Sequence, residues 1–115
     1  MMLTQALHPH LDVQHTPEAV DVTLHNCHQL DEECLETVRE ELLDLCAALE
    51  HRHVFMNLAH VGYMPSAGLG LLLTLKQRLD RSGGRLTLCN LNPLVRELFV
   101  VTRLTSYFHI LDAQN

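Results

Sequence analysis

The chain has 115 residues, the size of one domain, and 47% of them are hydrophobic, enough for a real core. Acidic residues outnumber basic ones by 14 to 8, a formal charge of −6 with histidines neutral. That balance argues against nucleic acid as the main partner, because phosphate backbones need clustered Lys and Arg, and equally against an anionic membrane surface.

Two short strands open the chain, Leu11 to His15 and Val20 to His25, with Pro17 and Glu18 in the turn between them. Val20, Val22 and Leu24 alternate with Asp21 and Thr23, the pattern of a half-buried strand. Asp31 suits a helix cap, and Glu32 and Glu33 in the first turn suit the helix dipole. Leu35, Val38, Leu42, Leu45 and Leu49 follow at spacings of three and four, one apolar stripe along a helix. His53 to Leu58 reads as a strand whose continuous run Val54, Phe55 and Met56 suits cover on both faces. Ala59 to Pro65 is a loop.

Ser66 is placed to cap a second helix, which stops at Ser82, Gly83 and Gly84. Leu69, Leu72, Leu73 and Leu79 face one way, Leu71 and Leu75 widen the apolar face by core packing, and Lys76, Arg78 and Asp80 mark the wet side. Gly68 leaves the first turn bare enough for close approach. Arg85 to Asn90 alternates as a strand, with Leu86 and Leu88 inward and Thr87 and Cys89 opposite. Asn92 caps a third helix with Pro93 at its first position, and Leu94, Leu98, Val101 and Leu104 form the expected stripe. Ser106 to Leu111 is a final strand.

The order β-β-α-β-α-β-α-β predicts an α/β fold: a mixed, mostly parallel sheet of about five strands with helices packed mainly on one face. One domain is expected over residues 1–115, with 1–10 a loose N-terminus. No leader pattern occurs in Met1 to His10, and the longest mostly apolar run, Ala67 to Leu75, is too short to span a bilayer. A cytoplasmic protein is therefore expected.

Cys27, Cys34, Cys46 and Cys89 form no CxxC pair, and Cys46 and Cys89 read as buried reduced thiols. Nine histidines supply i, i+2 pairs (His8 and His10, His51 and His53) but no converging set of three or four ligands, so no metal and no cofactor are expected. No catalytic residue is expected either. His60 is close to Ser66 in sequence, but no Asp or Glu lies between Glu50 and Asp80 to orient it. Ser66-Ala67-Gly68-Leu69-Gly70 is neither a nucleophile elbow nor a phosphate-binding loop.

The stretch Tyr63-Met64-Pro65-Ser66-Ala67-Gly68-Leu69-Gly70-Leu71-Leu72 resembles the STAS domain family, named for sulphate transporters and anti-sigma-factor antagonists. The resemblance extends through Leu30-Asp31, Gly83-Gly84-Arg85-Leu86, Asn90-Leu91-Asn92-Pro93-Leu94-Val95, Leu104 and Phe108, from about Val20 onward. It implies a STAS-like fold and a switch: Ser66 phosphorylated by a serine kinase that is itself the anti-sigma factor, with the dephosphorylated domain binding that partner. The implied partner surface is Tyr63, Met64, Pro65, Ser66, Ala67, Gly68 and Leu69, joined by Asp31. Two positions depart from the family pattern, Pro65 and Asn57, where many antagonists carry Asp. The alternative implied role is a constitutive STAS subunit of a signalling scaffold or a phospholipid-transport complex, without phosphorylation. An oligomer is compatible with either.

Overall fold

The computed structural model describes residues 10–25, 32–49 and 51–111. In chain order the elements are β1 (Leu11–His15), β2 (Ala19–Leu24), α1 (Glu32–Ala48), β3 (His53–Asn57), α2 (Ser66–Arg81), β4 (Arg85–Cys89), α3 (Pro93–Val101) and β5 (His109–Leu111). The strands lie side by side in sequence order; β1 is antiparallel to β2 and every later pair is parallel. Parallel neighbours need a crossover, and crossovers are right-handed, so three successive steps in one direction place α1, α2 and α3 on the same face.

The register follows from which side chains that face must bury. Leu11 sits opposite Leu24, Val22 beside Met56, and Met56 beside Leu88, all fully or almost fully buried. Helix α1 adds Val38 and Leu42, with Leu49 just past its end, α2 adds Leu69, Leu72, Leu75 and Leu79, and α3 adds Val95 and Phe99. Leu71 and Leu75 belong to this core, as their spacing implied. Phe99 meets Phe108 edge-on at 5.4 Å, which closes the core beside β5.

Two polar anchors hold the edges. Glu41 of α1 is only 7% exposed, and its carboxylate accepts the backbone N–H of His10 at 3.1 Å and contacts His10 Nδ1 at 2.9 Å. The Arg52 guanidinium donates to the carbonyls of Thr16 (2.8 Å) and Ala19 (3.1 Å), fastening the β1–β2 turn to the start of β3. Gly84 lies so close to Arg52 that a Cβ there would stand 2.4 Å from its carbonyl oxygen, so only glycine fits.

Several expectations are corrected. The run in β3 is not covered on both faces: Val54 and Met56 are buried, whereas Phe55 is half-buried on the opposite face, stacked on His53 at 4.2 Å. Thr87 is on that face yet only 4% exposed, because the His53 ring lies over it with Nε2 2.7 Å from its hydroxyl. The α3 stripe holds only in part: Leu98 and Leu104 are partly buried against the core, but Leu94 is 73% and Val101 62% exposed, and Val95 and Phe99 take the fully buried positions. Seven of the nine residues of α3 are apolar, Arg96 and Glu97 excepted, so two phases were available, and the larger Phe99 takes the interior. The last strand is only three residues long, with Phe108 inserted into the core ahead of it. Lys76 is half-buried, paired with Asp80 at 2.6 Å and set 4.6 Å over the Tyr107 ring. Cys46 is buried, but Cys89 is only partly so; neither is in a disulfide. Burial and the nearby Asp21 push the Cys89 thiol up.

Phe99→Ala should cost about 3–5 kcal/mol in denaturant unfolding, whereas Leu94→Ala should stay within about 0.5 kcal/mol. If the sequence-derived phase were right, the two would exchange places. A second expectation concerns His53, whose pKa is lowered from 6.5 by burial, then by Arg85 and His109. The unfolded chain takes up this proton first, so the contribution of His53 is complete above pH 6.5 and is lost as pH falls below it toward the depressed folded value. Unfolding curves of wild type and His53→Gln should therefore diverge with pH below that point, the variant losing less on acidification.

Candidate functional site

The site is built where β3 hands the chain to α2. Asn57 ends β3, and its side-chain oxygen accepts the Ala59 N–H at 2.9 Å, turning the chain at once. The Val61 N–H then reaches the Leu58 carbonyl at 3.0 Å, and Leu58, Val61 and Met64 point into the core. These three buried side chains leave little freedom to the loop between them.

Asn92 fixes the other side. Its oxygen accepts the Val95 N–H at 2.9 Å, capping α3 as expected, and its amide nitrogen donates to the Val61 carbonyl at 3.1 Å. One side chain thus starts α3 and holds the β3–α2 loop against it. The cap was legible in Asn92-Pro93; the bridge to Val61 spans 31 residues and leaves no local signal.

Helix α2 begins one residue earlier than the capping pattern suggested. Pro65 is the N-cap, in an extended conformation (φ −72°, ψ 170°), and Ser66 is the first helical residue. No side chain caps this helix, so Ser66 is not a cap. The Pro65 carbonyl accepts from Gly68 (2.9 Å) and Leu69 (3.4 Å), while the N–H groups of Ser66 and Ala67 have no partner among the described residues. The Ser66 hydroxyl is exposed and likewise makes no hydrogen bond to any described residue.

The structure divides the expected partner-binding residues in two. Tyr63 (54% exposed), Ser66 and Ala67 are on the surface, and Pro65 is half-buried. Met64, Gly68 and Leu69 are buried, so they shape the loop and helix start from beneath. Gly68 is thus not the bare approach its sequence position suggested. That role falls to Gly70, one turn beyond Ser66, which is exposed with nothing within 4 Å of where a Cβ would stand. Close packing does not explain it. Asp31 lies outside the described residues.

The exposed residues Tyr63, Ser66, Ala67 and Gly70 carry no charge. The first turn of α2 has no acidic residue, and its last turn carries Arg78 and Arg81. Unpaired N–H groups and the helix dipole make the N-terminal end electropositive, a setting that favours an anion. His60 is exposed and makes no hydrogen bond to Ser66, so among the described residues no base is in place to activate the hydroxyl. Among the described residues no group of three His, Cys, Asp or Glu is arranged for a metal ion, and no helix is long and apolar enough to cross a membrane.

Comparison with known proteins agrees with this fold. A family model described as the STAS domain matches residues 10–113. An anti-sigma F factor antagonist of Paenibacillus polymyxa is 26% identical over 84 residues, 73% of this chain and 72% of that protein. BtrV of Bordetella bronchiseptica, named as an anti-sigma factor antagonist, is 35% identical over 63 residues; the match spans 55% of this chain and 54% of BtrV. Among solved structures, an anti-sigma-factor antagonist (STAS) domain protein from Planctomyces limnophilus superposes with a TM-score of 0.81 at 20% identity, over 90% of this chain and 91% of that one. SpoIIAA in its unphosphorylated form superposes with a TM-score of 0.69 at 26% identity, over 91% and 89%.

Because its hydroxyl caps nothing, Ser66→Ala should leave thermal stability within about 0.5 kcal/mol of wild type, where loss of a true cap would cost about 1 kcal/mol. Asn92→Ala removes two hydrogen bonds and should cost about 1–3 kcal/mol, with faster amide exchange at Val95 and in the Leu58–Tyr63 loop. A large Ser66→Ala loss, or an unchanged loop in Asn92→Ala, would contradict the geometry described.

Proposed function

Because the chain belongs to the STAS domain family, we propose that it is an anti-sigma-factor antagonist, a cytoplasmic protein-binding regulator rather than an enzyme. Its partner on this reading is an anti-sigma factor that is also a serine kinase, and its switch is phosphorylation of Ser66. The observation that carries the reading is the exposed, uncommitted Ser66 hydroxyl at the first position of α2.

The energetics of such a switch are simple. A phosphate adds about −1.5 to −2 charges and three acceptor oxygens. Within the domain that charge meets the free N–H groups of Ser66 and Ala67 and the positive end of the helix dipole, so the fold tolerates it. Against a partner docked on Tyr63, Ala67 and Gly70 the same charge must lose its water, and any like charge opposite costs several kcal/mol. A hundredfold loss of affinity needs only about 2.7 kcal/mol. The partner can therefore be released with little change in the domain itself.

Pro65 and Asn57 change the chemistry around the serine. Where many antagonists carry a carboxylate, Pro65 offers none and also lacks an N–H, and Asn57 spends its side-chain oxygen on Ala59. On this reading the kinase must position the Ser66 hydroxyl with its own groups.

Intact mass and fragment mapping of protein from its own host should find one phosphate, at Ser66. Ser66→Asp should bind the partner captured by wild type at least a hundredfold more weakly, and Ser66→Ala should bind as wild type. Absence of phosphate under every growth condition, with a partner that still co-purifies with Ser66→Asp, would overturn the switch and leave the constitutive scaffold or transporter subunit.

A further inference from the structure

The sheet face turned away from the helices is not flat. In register across β1, β2, β3 and β4 run Asp12, Thr23, Asn57 and Cys89, at the carboxyl end of β3 and β4. Beside that row run Gln14, Asp21 and Phe55. These side chains line a trough of about 370 Å³. That volume falls within the range of small-molecule sites, about 300–1,000 Å³.

The chemistry of the trough is one-sided. Asp12 and Asp21 are diagonal neighbours on paired strands, about 7–8 Å apart. Neither forms an ion pair among the described residues, and no described Lys, Arg or His lines the trough. The Asp21 charge is felt as far as β4, where it helps to push the Cys89 thiol up. Phe55 adds an aromatic wall: its ring is half-buried, stacked on His53 at 4.2 Å, and borders the trough. A metal ion is a poor match, because no three His, Cys, Asp or Glu converge among the described residues.

We propose that this trough binds a small guanidinium compound. A guanidinium is flat, carries one positive charge and presents its N–H donors as a fork, so it can donate to carboxylates on two sides and lie against an aromatic ring. An ammonium is a strongly hydrated point charge and uses the ring less well. Asn57 gives the site a route to the opposite side of the sheet. It lines the trough, and its side-chain oxygen holds the Ala59 N–H at 2.9 Å, where the chain turns toward Ser66. A bound ligand is therefore felt in the β3–α2 loop. Any effect on the protein partner rests on the function proposed above; binding itself does not.

Titration of the isotope-labelled full chain with agmatine at low ionic strength, up to about 20 mM, should give saturable amide shifts at Asp12, Asp21, Thr23 and Asn57, with a Kd of about 1 mM or tighter. Smaller shifts should follow at Ala59. Putrescine, which has an ammonium in place of the guanidinium, should bind more weakly, and inorganic phosphate should leave these amides unmoved. The double variant Asp12→Asn/Asp21→Asn keeps the shape of both side chains and should bind agmatine about tenfold more weakly, its other amides remaining where they are in wild type. Shifts that grow linearly without saturating, that are equal in the double variant or equal with putrescine, or that centre on the acidic face of α1 at Glu36, Glu40 and Asp44 would overturn the proposal. Ser66→Asp should bind agmatine as wild type does, which separates this test from that of the switch.

Discussion

The handedness of three crossovers governs this molecule. Each parallel step from β2 to β5 moves one strand in the same direction, so each connecting helix must lie on the same side of the sheet. One face therefore receives all the helical leucines and becomes the core. The other is left with the outward residues of every strand. The loops that leave the carboxyl ends of β3 and β4 meet at one rim, where a site in an open α/β sheet belongs. Core, bare face and rim are three results of one topological rule.

At that rim, precision comes from buried anchors more than from the exposed residues. Leu58, Val61 and Met64 hold the β3–α2 loop from below, and Asn92 holds it from the side. Ser66 and Ala67 carry no hydrogen bond to any described residue that a partner would have to break, while Tyr63 takes part in an isolated β-bridge. Such anchoring of the loop limits the ordering cost of association.

Most of the architecture was legible in the chain. Alternation marked β2 and β4, leucine spacing marked α1 and α2, and Asn92-Pro93 and Gly83-Gly84 marked helix ends. The misses in the core share a cause: each depended on a contact outside the element in which it fell. The phase of α3 was ambiguous because apolar residues occupy almost every position, and Phe108 settles it by giving Phe99 a ring to pack on. Thr87 is buried only because His53 lies over it, and Glu41 only because His10 reaches it. Ser66 was singled out by its neighbours in the sequence, and its place in the first turn was misjudged by one residue because Pro65 can serve as an N-cap without a capping side chain. Which of its neighbours face outward was set by the core, and so could not be read locally.

On the proposed function, Gly70 sets conformational stability against recognition. In an exposed helix interior glycine costs about 1 kcal/mol relative to alanine, and here the space for a methyl group is empty. Selection for a firmer fold alone would fill it. Keeping the position bare leaves a gap one turn from Ser66, at a cost of about a tenth of the stability of a small domain. On such a surface the missing side chain is itself the feature that a docking partner can read.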